Sequence, residues 1–346
     1  MRPLIKRICK NHCCFELNSL QNSTVKIINE KVKNKKYILE KSNCICGGED
    51  DLLIGEIDRY GIEINTVLCK NCGLVRSNPY YNNETLTNFY ENEYRPLYVG
   101  VDNCTEKFFE NQKEIGESIY EYIKEFLTKK GIDAVIYEIG CGAGGILKTF
   151  QEKGYKTVGC DFNENYLEYG RSKGVNLVNG DCNSLKEYGT ADLIILNHVL
   201  EHFKDPLTAL KDIRGLLNKD GILYIRVPGI YDINFTYKGD VFLYLQNAHA
   251  FHYTLTTLIY VLNLANFKIV RGNESVQAIF RISNSILELE QNNKEARKIL
   301  LYLLKTEFFF KHKILKMIFN FPKRLIRLPF KLMPLIREIF IKLFKK

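Results

Sequence analysis

The chain has 346 residues, 46% of them hydrophobic and 26% charged, the balance of a globular protein with room for one large domain and something smaller. The first 25 residues include Arg2, Lys6, Arg7, Lys10 and Glu16 with no apolar run of signal-peptide length, and no stretch reaches the roughly 18 uncharged apolar residues of a spanning helix, so a cytoplasmic protein is expected rather than a secreted or membrane-spanning one. The net charge of +9 is uneven, because residues 298–346 carry +11 and the remaining 297 residues sum to −2.

Eleven cysteines, an odd number at irregular spacing, argue against a disulfide framework and for metal ligation by some of them. In the N-terminal segment, residues 1–40, Cys9, His12, Cys13 and Cys14 cluster. Adjacent Cys13 and Cys14 make poor ligand geometry, and the group has no assigned role. Residues 41–100 read as a zinc module. "CICGGED" supplies Cys44 and Cys46, and "LCKNCGLV" supplies Cys69 and Cys72 after 22 intervening residues. Four thiolates can close tetrahedrally on a structural Zn²⁺, with no position left for a catalytic water. The first pair is C-x-C rather than the commoner C-x-x-C. Both pairs sit at glycine-containing turns, which lets backbone amides point at the sulfurs. Redox use of Cys69 and Cys72 is disfavoured, since no thioredoxin-like βαβ pattern surrounds them.

Residues 1–130 are polar and Asn-rich with no repeated rhythm, but from about Ala134 to Ser285 strand-like and helix-like segments alternate. "AVIYEIG" reads as a strand and "ILKTFQEKG" as a helix closed by Gly154. "KTVGCDF" and "NYLEYGRSKG" repeat the pattern, followed by "VNLVNGD", "ADLIILNHV" and "GILYIRVPG". Before the last of these, "DPLTALKDIRGLLNKDG" has Asp205 as N-cap, Pro206 at the first helical position, and Leu207, Leu210, Ile213 and Leu217 on one face. "TLTTLIYVLNLANF" reads as a further helix, and "KIVRGN" and "QAIFRIS" as two closing strands. The alternation implies an α/β, doubly wound, mostly parallel sheet whose ligands bind beyond the carboxyl ends of the strands. Cys141, Cys160 and Cys182 fall in or just after buried strands, where a small apolar side chain suffices.

The loop "EIGCGAGG", residues 138–145, fits two cofactor patterns. Gly140, Gly142 and Gly145 satisfy the dinucleotide G-x-G-x-x-G, a weak signal alone. Glu138, Gly140, Gly142 and Gly144 satisfy E-x-G-x-G-x-G. A carboxylate at position 138 suits the ammonium and sulfonium of S-adenosylmethionine better than a pyrophosphate. Asp161, 21 residues after Gly140, can accept both ribose hydroxyls of either cofactor. Asp181, at the third strand end, can receive an adenine amino group.

"ADLIILNHVLEHFKDPLTAL" resembles the fourth-strand region of class I S-adenosylmethionine-dependent methyltransferases, in particular those with a V-L-E-H signature that modify small molecules and glycans. With "YEIGCGAGGIL", "GCDFNENYLEYG", "NGD" and "LLNKDGILYIRVPG" in the same order, the resemblance covers roughly residues 134–285. It implies a seven-stranded methyltransferase sheet within residues 101–290. It also implies that Glu138, Gly140, Cys141, Gly142 and Gly144 hold the methionine end of the donor. Asp161, with Phe162 beside it, would take the ribose, and Asp181 with Cys182 the adenine. Asn197 and His198 would line the floor under the methyl group. "CKNCGLVRSNPYYNNETLTNFYENEY" resembles a zinc-bearing region preceding the catalytic domain in methyltransferases of bacterial sugar and surface-polysaccharide pathways, which would let Tyr90 and Tyr94 cover the acceptor.

An acceptor must also lose a proton, and a neutral imidazole suits that task. His198, His202, His249 and His252 are the candidates. His249 ranks first, because the resemblance makes "AHAFHYT" part of the loop over the acceptor; His202 and His252 follow. Residues 291–346 form a basic, helical, amphipathic tail. In "PLIREIFIKLFKK" apolar and cationic faces separate, which suits an anionic membrane surface on the inner face of the membrane more than nucleic acid. The reading is a methyltransferase using S-adenosylmethionine and structural zinc, with a sugar, nucleotide-sugar or glycan precursor as acceptor. The alternatives are an NAD(P)-dependent oxidoreductase or epimerase, and a non-catalytic zinc-containing adaptor at the membrane.

Overall fold

The computed structural model describes residues 3–5, 14–101, 103–127, 131–284 and 293–319, with side chains to 312 in the last segment. Cys9, His12, Cys13 and the stretch 334–346 lie outside the described residues. The chain opens with α1 (Ser19–Lys33), whose N-cap Asn18 accepts from Gln21 N in a capping box. Next come β1 (Leu39–Glu40), β2 (Asp51–Ile57), β3 (Glu63–Cys69), β4 (Val75–Ser77), β5 (Tyr80–Tyr81), α2 (Asn83–Asn92) and α3 (Tyr94–Tyr98). A long helix, α4 (Glu106–Leu127), leads into β6 (Val135–Ile139), α5 (Gly145–Glu152), β7 (Lys156–Asp161), α6 (Glu164–Ser172) and β8 (Leu177–Asn179). Then follow β9 (Ala191–Asn197), α7 (Pro206–Leu216), β10 (Leu217–Arg226), α8 (Ile233–Thr236), α9 (Val241–Tyr244) and β11 (Phe251–His252). The described chain closes with α10 (Leu255–Leu264), β12 (Phe267–Gly272), β13 (Gln277–Ile282) and α11 (Asn293–Phe319).

Seven strands form one sheet in the order β12-β13-β10-β9-β6-β7-β8. Strands β6 to β10 run parallel, while β13 pairs antiparallel with both β10 and β12. In β9, Leu193, Ile194, Ile195 and Leu196 are all fully buried, as a central parallel strand covered on both faces requires. Burial of each such side chain contributes about 1.5–3 kcal/mol. Chain order reverses between β6 and β9, and the crevice at such a reversal is where ligands bind in open α/β sheets.

The expected helix ends hold, with one shift. Asp205 caps α7 by accepting from Thr208 N, and Pro206 is its first residue. Leu217, however, leaves the helical face and begins β10, because the helix ends at Leu216. Helix α4 precedes β6, in a stretch where the sequence shows no repeated strand and helix rhythm. It lies against α5 at two glycines, where a Cβ on Gly116 would stand 2.6 Å from Thr149 Oγ1 and one on Gly145 would stand 2.5 Å from the Phe109 carbonyl oxygen.

A second sheet, β11-β4-β3-β2, carries the four paired cysteines at one end. Its edge strand β11 comes from the segment after β10, so a piece of chain that follows the large sheet's β10 completes the sheet of the N-terminal module. Phe251 faces Arg76 in register, and Ser77 N donates to Ala250 O at 3.0 Å. Arg76 is buried and makes a bidentate pair with Asp51, at 2.9 and 2.7 Å. Helix α11 buries Ala296, Ile299, Leu300 and Leu303 against the same core as Leu52, Ile54 and Phe242. Among the described residues no helix is long and apolar enough to cross a membrane.

Candidate active site

The first loop is pinned to its neighbouring strand, with Gly140 N and Cys141 N both donating to Cys160 O at 2.8 and 3.0 Å. Gly140 has φ +69°, and a Cβ there would stand 2.6 Å from Val199 Cγ2, so glycine is required twice over. Gly142 N donates to Asp161 Oδ2 at 2.9 Å, which ties the loop to the end of β7. Gly145, the residue that completes the dinucleotide pattern, is demanded by the close approach of α4 rather than by a ligand. Gly144 has φ +73°, and a Cβ there would stand 3.0 Å from Leu177 Cδ2 and 3.1 Å from Val175 Cγ1.

A cavity of about 440 Å³ opens at the reversal point. Gly140, Asp161, Phe162, Asp181, Cys182 and His198 line it. Asp161 accepts from Asn163 N with Oδ1 at 2.9 Å, and Asp181 caps the turn 182–188 by accepting from Asn183 N at 2.9 Å. The Phe162 ring is 64% exposed, an apolar face left open where an adenine could stack. Glu138, Cys141 and Asn197 stand behind this wall. Glu138 is 2% exposed and its Oε2 has no hydrogen-bond partner. Burial, and then the nearby Asp161, hold its carboxyl well above the usual carboxylate range. An orphaned buried carboxylate below a glycine cradle is the arrangement that an ammonium group complements.

Arg95 is a cavity residue that sequence reasoning missed. It sits on α3 with Nη2 3.6 Å from Asp161 Oδ2 and its guanidinium 4.3 Å from the Tyr166 ring centre. The only signal was a cation among tyrosines in "NEYRPLY", and nothing local tied it to a strand end 66 residues away. Tyr90 and Tyr94 line the other side of the cavity, with Tyr94 stacked on Tyr98 at 5.5 Å and 7°.

Of the three ranked histidines, His202 lines the cavity. Its Nδ1–H donates to Ala248 O at 3.1 Å and meets Tyr90 Oη at 3.0 Å, since a carbonyl can only accept. That fixes the tautomer and leaves Nε2 with its lone pair. His249 stands behind it, ring centres 4.9 Å apart, and His252 lies deeper, against His249 and Tyr244. Burial pushes all three below the usual histidine range, His252 to about 3, so each is neutral at pH 7. The helix after this loop is capped by Thr254 itself, which accepts from Thr257 N, and not by either histidine. Cys141 and Cys160 are fully buried and Cys182 nearly so, in keeping with small apolar roles.

Some distance from the cavity, Cys44, Cys46, Cys69 and Cys72 bring their sulfurs within 4.8 Å of one another. Adjacent sulfurs are 3.5 to 3.6 Å apart. A tetrahedron with bonds of about 2.3 Å has edges of about 3.8 Å, so the set fits a tetrahedral thiophilic cation. Gly48 N and Leu74 N donate to Cys46 Sγ and Cys72 Sγ at 3.3 and 3.5 Å.

Residues 111–271 match the family model described as a methyltransferase domain. No curated protein matches the chain at a significant level. Among solved structures the chain is similar to magnesium protoporphyrin IX methyltransferase from Synechocystis PCC 6803 with bound SAH, at 15% identity and TM-score 0.41, over 57% of this chain and 98% of that one. It is also similar to a S-adenosylmethionine-dependent methyltransferase from Clostridium acetobutylicum ATCC 824, at 14% identity and TM-score 0.41, over 55% and 96%. A third is the plantazolicin methyltransferase in complex with SAH, at 17% identity and TM-score 0.40, over 56% and 76%.

Proposed function

With residues 111–271 forming a class I S-adenosylmethionine-dependent methyltransferase domain, we propose that this enzyme methylates a sugar, nucleotide-sugar or glycan precursor held between the donor cavity and the Tyr90–Tyr94 wall. The observation that carries the acceptor reading is that wall. Two tyrosines from the N-terminal module face the strand ends of the large sheet across one cavity, and aromatic faces suit the C–H surfaces of a sugar ring. When bound, S-adenosylmethionine would supply an electrophilic methyl group on a positive sulfur, for transfer to an oxygen or an acidified carbon of the acceptor.

The chain's own work is alignment and proton removal. Asp161 takes the ribose, Asp181 and Cys182 frame the adenine, and Phe162 stacks on it. Glu138 sits below the methionine ammonium. The acceptor's proton passes to an imidazole in the group of His198, His202 and His249. His202 is the ranked member that reaches the cavity, and His249 orders the ring behind it.

Cys44, Cys46, Cys69 and Cys72 would hold a structural Zn²⁺ that fixes the turns before β2 and β4. Because β4 pairs with β11, this module steadies the loop that bears His249 and His252. Contact of residues 298–346 with an anionic membrane belongs to the same proposal. It is supported by their charge of +11 and by Leu301 and Phe309, which are exposed on α11, although the inner face of that helix packs on the core. The test offers methyl-labelled S-adenosylmethionine with a panel of nucleotide sugars and lipid-linked glycans to the purified chain. Label in a sugar product supports the reading; label only in a non-sugar acceptor replaces it.

A further inference from the structure

We propose that Glu201, His202 and His249 hold a divalent first-row metal ion at the acceptor side of the cavity. The inference rests on the reading of this cavity as a methyl-transfer site and specifies how the acceptor is held there. It starts from Glu201, the acid of V-L-E-H, whose side chain is 2% exposed and whose two carboxylate oxygens both lack a hydrogen bond. A buried carboxylate left in that state is costly unless a cation meets it. Imidazoles and the rings of Tyr90, Tyr94, Tyr244 and Tyr253 surround it. His198 Nδ1 stands 3.4 Å from Glu201 Oε1, and one ligand atom from each of Glu201, His202 and His249 lies within 4.8 Å of the others.

The surrounding geometry prepares nitrogen lone pairs rather than donors. The Ala248 carbonyl and Tyr90 hold the Nδ1–H of His202, the outer-shell arrangement that orients a ligating histidine and leaves Nε2 free. His249 is 3% exposed and its Nδ1 has no partner. A cation with bonds of about 2.0–2.2 Å holds tetrahedral donors about 3.3–3.6 Å apart, so side chains whose ligand atoms already lie within 4.8 Å reach it by closing inward on the ion. Two imidazoles and one carboxylate favour Mn²⁺, Fe²⁺, Co²⁺, Ni²⁺ or Zn²⁺ over Mg²⁺ and Ca²⁺, which prefer oxygen alone. Three protein ligands also leave coordination positions open toward the cavity.

Of the three ligands His202 lines the cavity, beside the non-ligand His198, so an acceptor reaches the open positions on the His202 side. A vicinal diol or hydroxy-ketone, groups common on sugars, would chelate there with one oxygen turned to the donor methyl. The cation then lowers the acidity barrier of that hydroxyl. Its proton goes to His198, the imidazole of the group that is not a ligand, as the oxygen–methyl bond forms and the sulfur–methyl bond breaks. His198 has φ +58°, a left-handed conformation rare for a side chain of this size, and backbone strain of this kind gathers at functional sites.

Mn²⁺ is the probe, since as a hard ion it avoids the four-cysteine cluster. Free Mn²⁺ is followed by electron paramagnetic resonance during titration of the full chain, and S-adenosylhomocysteine binding is measured on the same samples as a check of folding and of the donor site. The expected result is one bound Mn²⁺ per chain, weakened at least tenfold in both Glu201→Gln and His249→Asn while S-adenosylhomocysteine still binds, and retained in Cys69→Ser. No Mn²⁺ binding at millimolar concentration by a wild-type chain that binds S-adenosylhomocysteine, or binding unchanged in both variants, overturns the metal site alone. Mn²⁺ binding lost in the variants, with no S-adenosylhomocysteine binding by wild type, upholds the metal site and removes the methyl-transfer reading.

Discussion

Replacing Glu138 by glutamine should stabilise the protein without ligand and weaken its grip on the donor. The Glu138 carboxyl is buried, one oxygen is unpartnered, and Asp161 adds like charge. Glutamine keeps the shape and cannot ionise, so it avoids the cost, about 1–3 kcal/mol, that the buried carboxyl imposes once the unfolded chain is ionised. The pH dependence has a definite sign. Because the folded carboxyl titrates well above its ordinary value of 4.5, both states are protonated in acid and nothing is lost there. As pH rises past that ordinary value, the unfolded chain ionises freely and the folded one resists, so wild type loses stability and Glu138→Gln does not. The variant's advantage in urea unfolding should therefore be absent at about pH 4 and reach about 1–3 kcal/mol in mildly alkaline buffer. Binding should move the other way. Loss of a charge-assisted bond to the ammonium costs about 1.5–3 kcal/mol, or about 10- to 100-fold in S-adenosylhomocysteine affinity by calorimetry. Methylthioadenosine, which lacks the amino-acid end, should bind both proteins alike. Equal weakening of the two ligands, or a variant less stable than wild type in alkaline buffer, would refute the placement of Glu138 beneath the methionine end.

Asp161→Ala removes both ribose acceptors and should weaken S-adenosylhomocysteine and methylthioadenosine together, by about 100-fold or more, on two charge-assisted bonds of about 1.5–3 kcal/mol each; calorimetry on the pair of ligands checks it. Gly145→Ala places a Cβ 2.5 Å from the Phe109 carbonyl and 2.6 Å from Gln112 Cβ, so it should cost about 1–3 kcal/mol in Tm-derived stability while the folded fraction binds donor within about threefold of wild type. A stability unchanged by that substitution would contradict the close α4–α5 contact. Cys69→Ser should abolish bound zinc by elemental analysis and, through the β4–β11 pairing, lower methyl transfer more than donor binding; an unchanged turnover would separate the module from the acceptor site.

Much of the donor half was legible in the sequence, because it is encoded locally. Alternating apolar strands and capped helices give β6 to β10, Asp205 and Pro206 mark the start of α7, and acids at successive strand ends fall where a parallel sheet must present them. The cysteine pairs were legible for the same reason, as each pair lies on one turn. The acceptor half was not. Tyr90 meets His202 across 112 positions, and Ser77 binds the carbonyl of His249 across 172. Arg95 reaches Asp161 only because α3 folds over the strand ends, and His249 stands behind His202 only because the segment between β10 and α10 supplies β11 to the small sheet. Spacing and propensity fix what each segment becomes, since those forces act within a few residues. Which segments meet is set by the burial of apolar faces and the pairing of strand edges over the whole chain, and the buried, unpartnered Glu201 beside its imidazoles exists only after that choice is made.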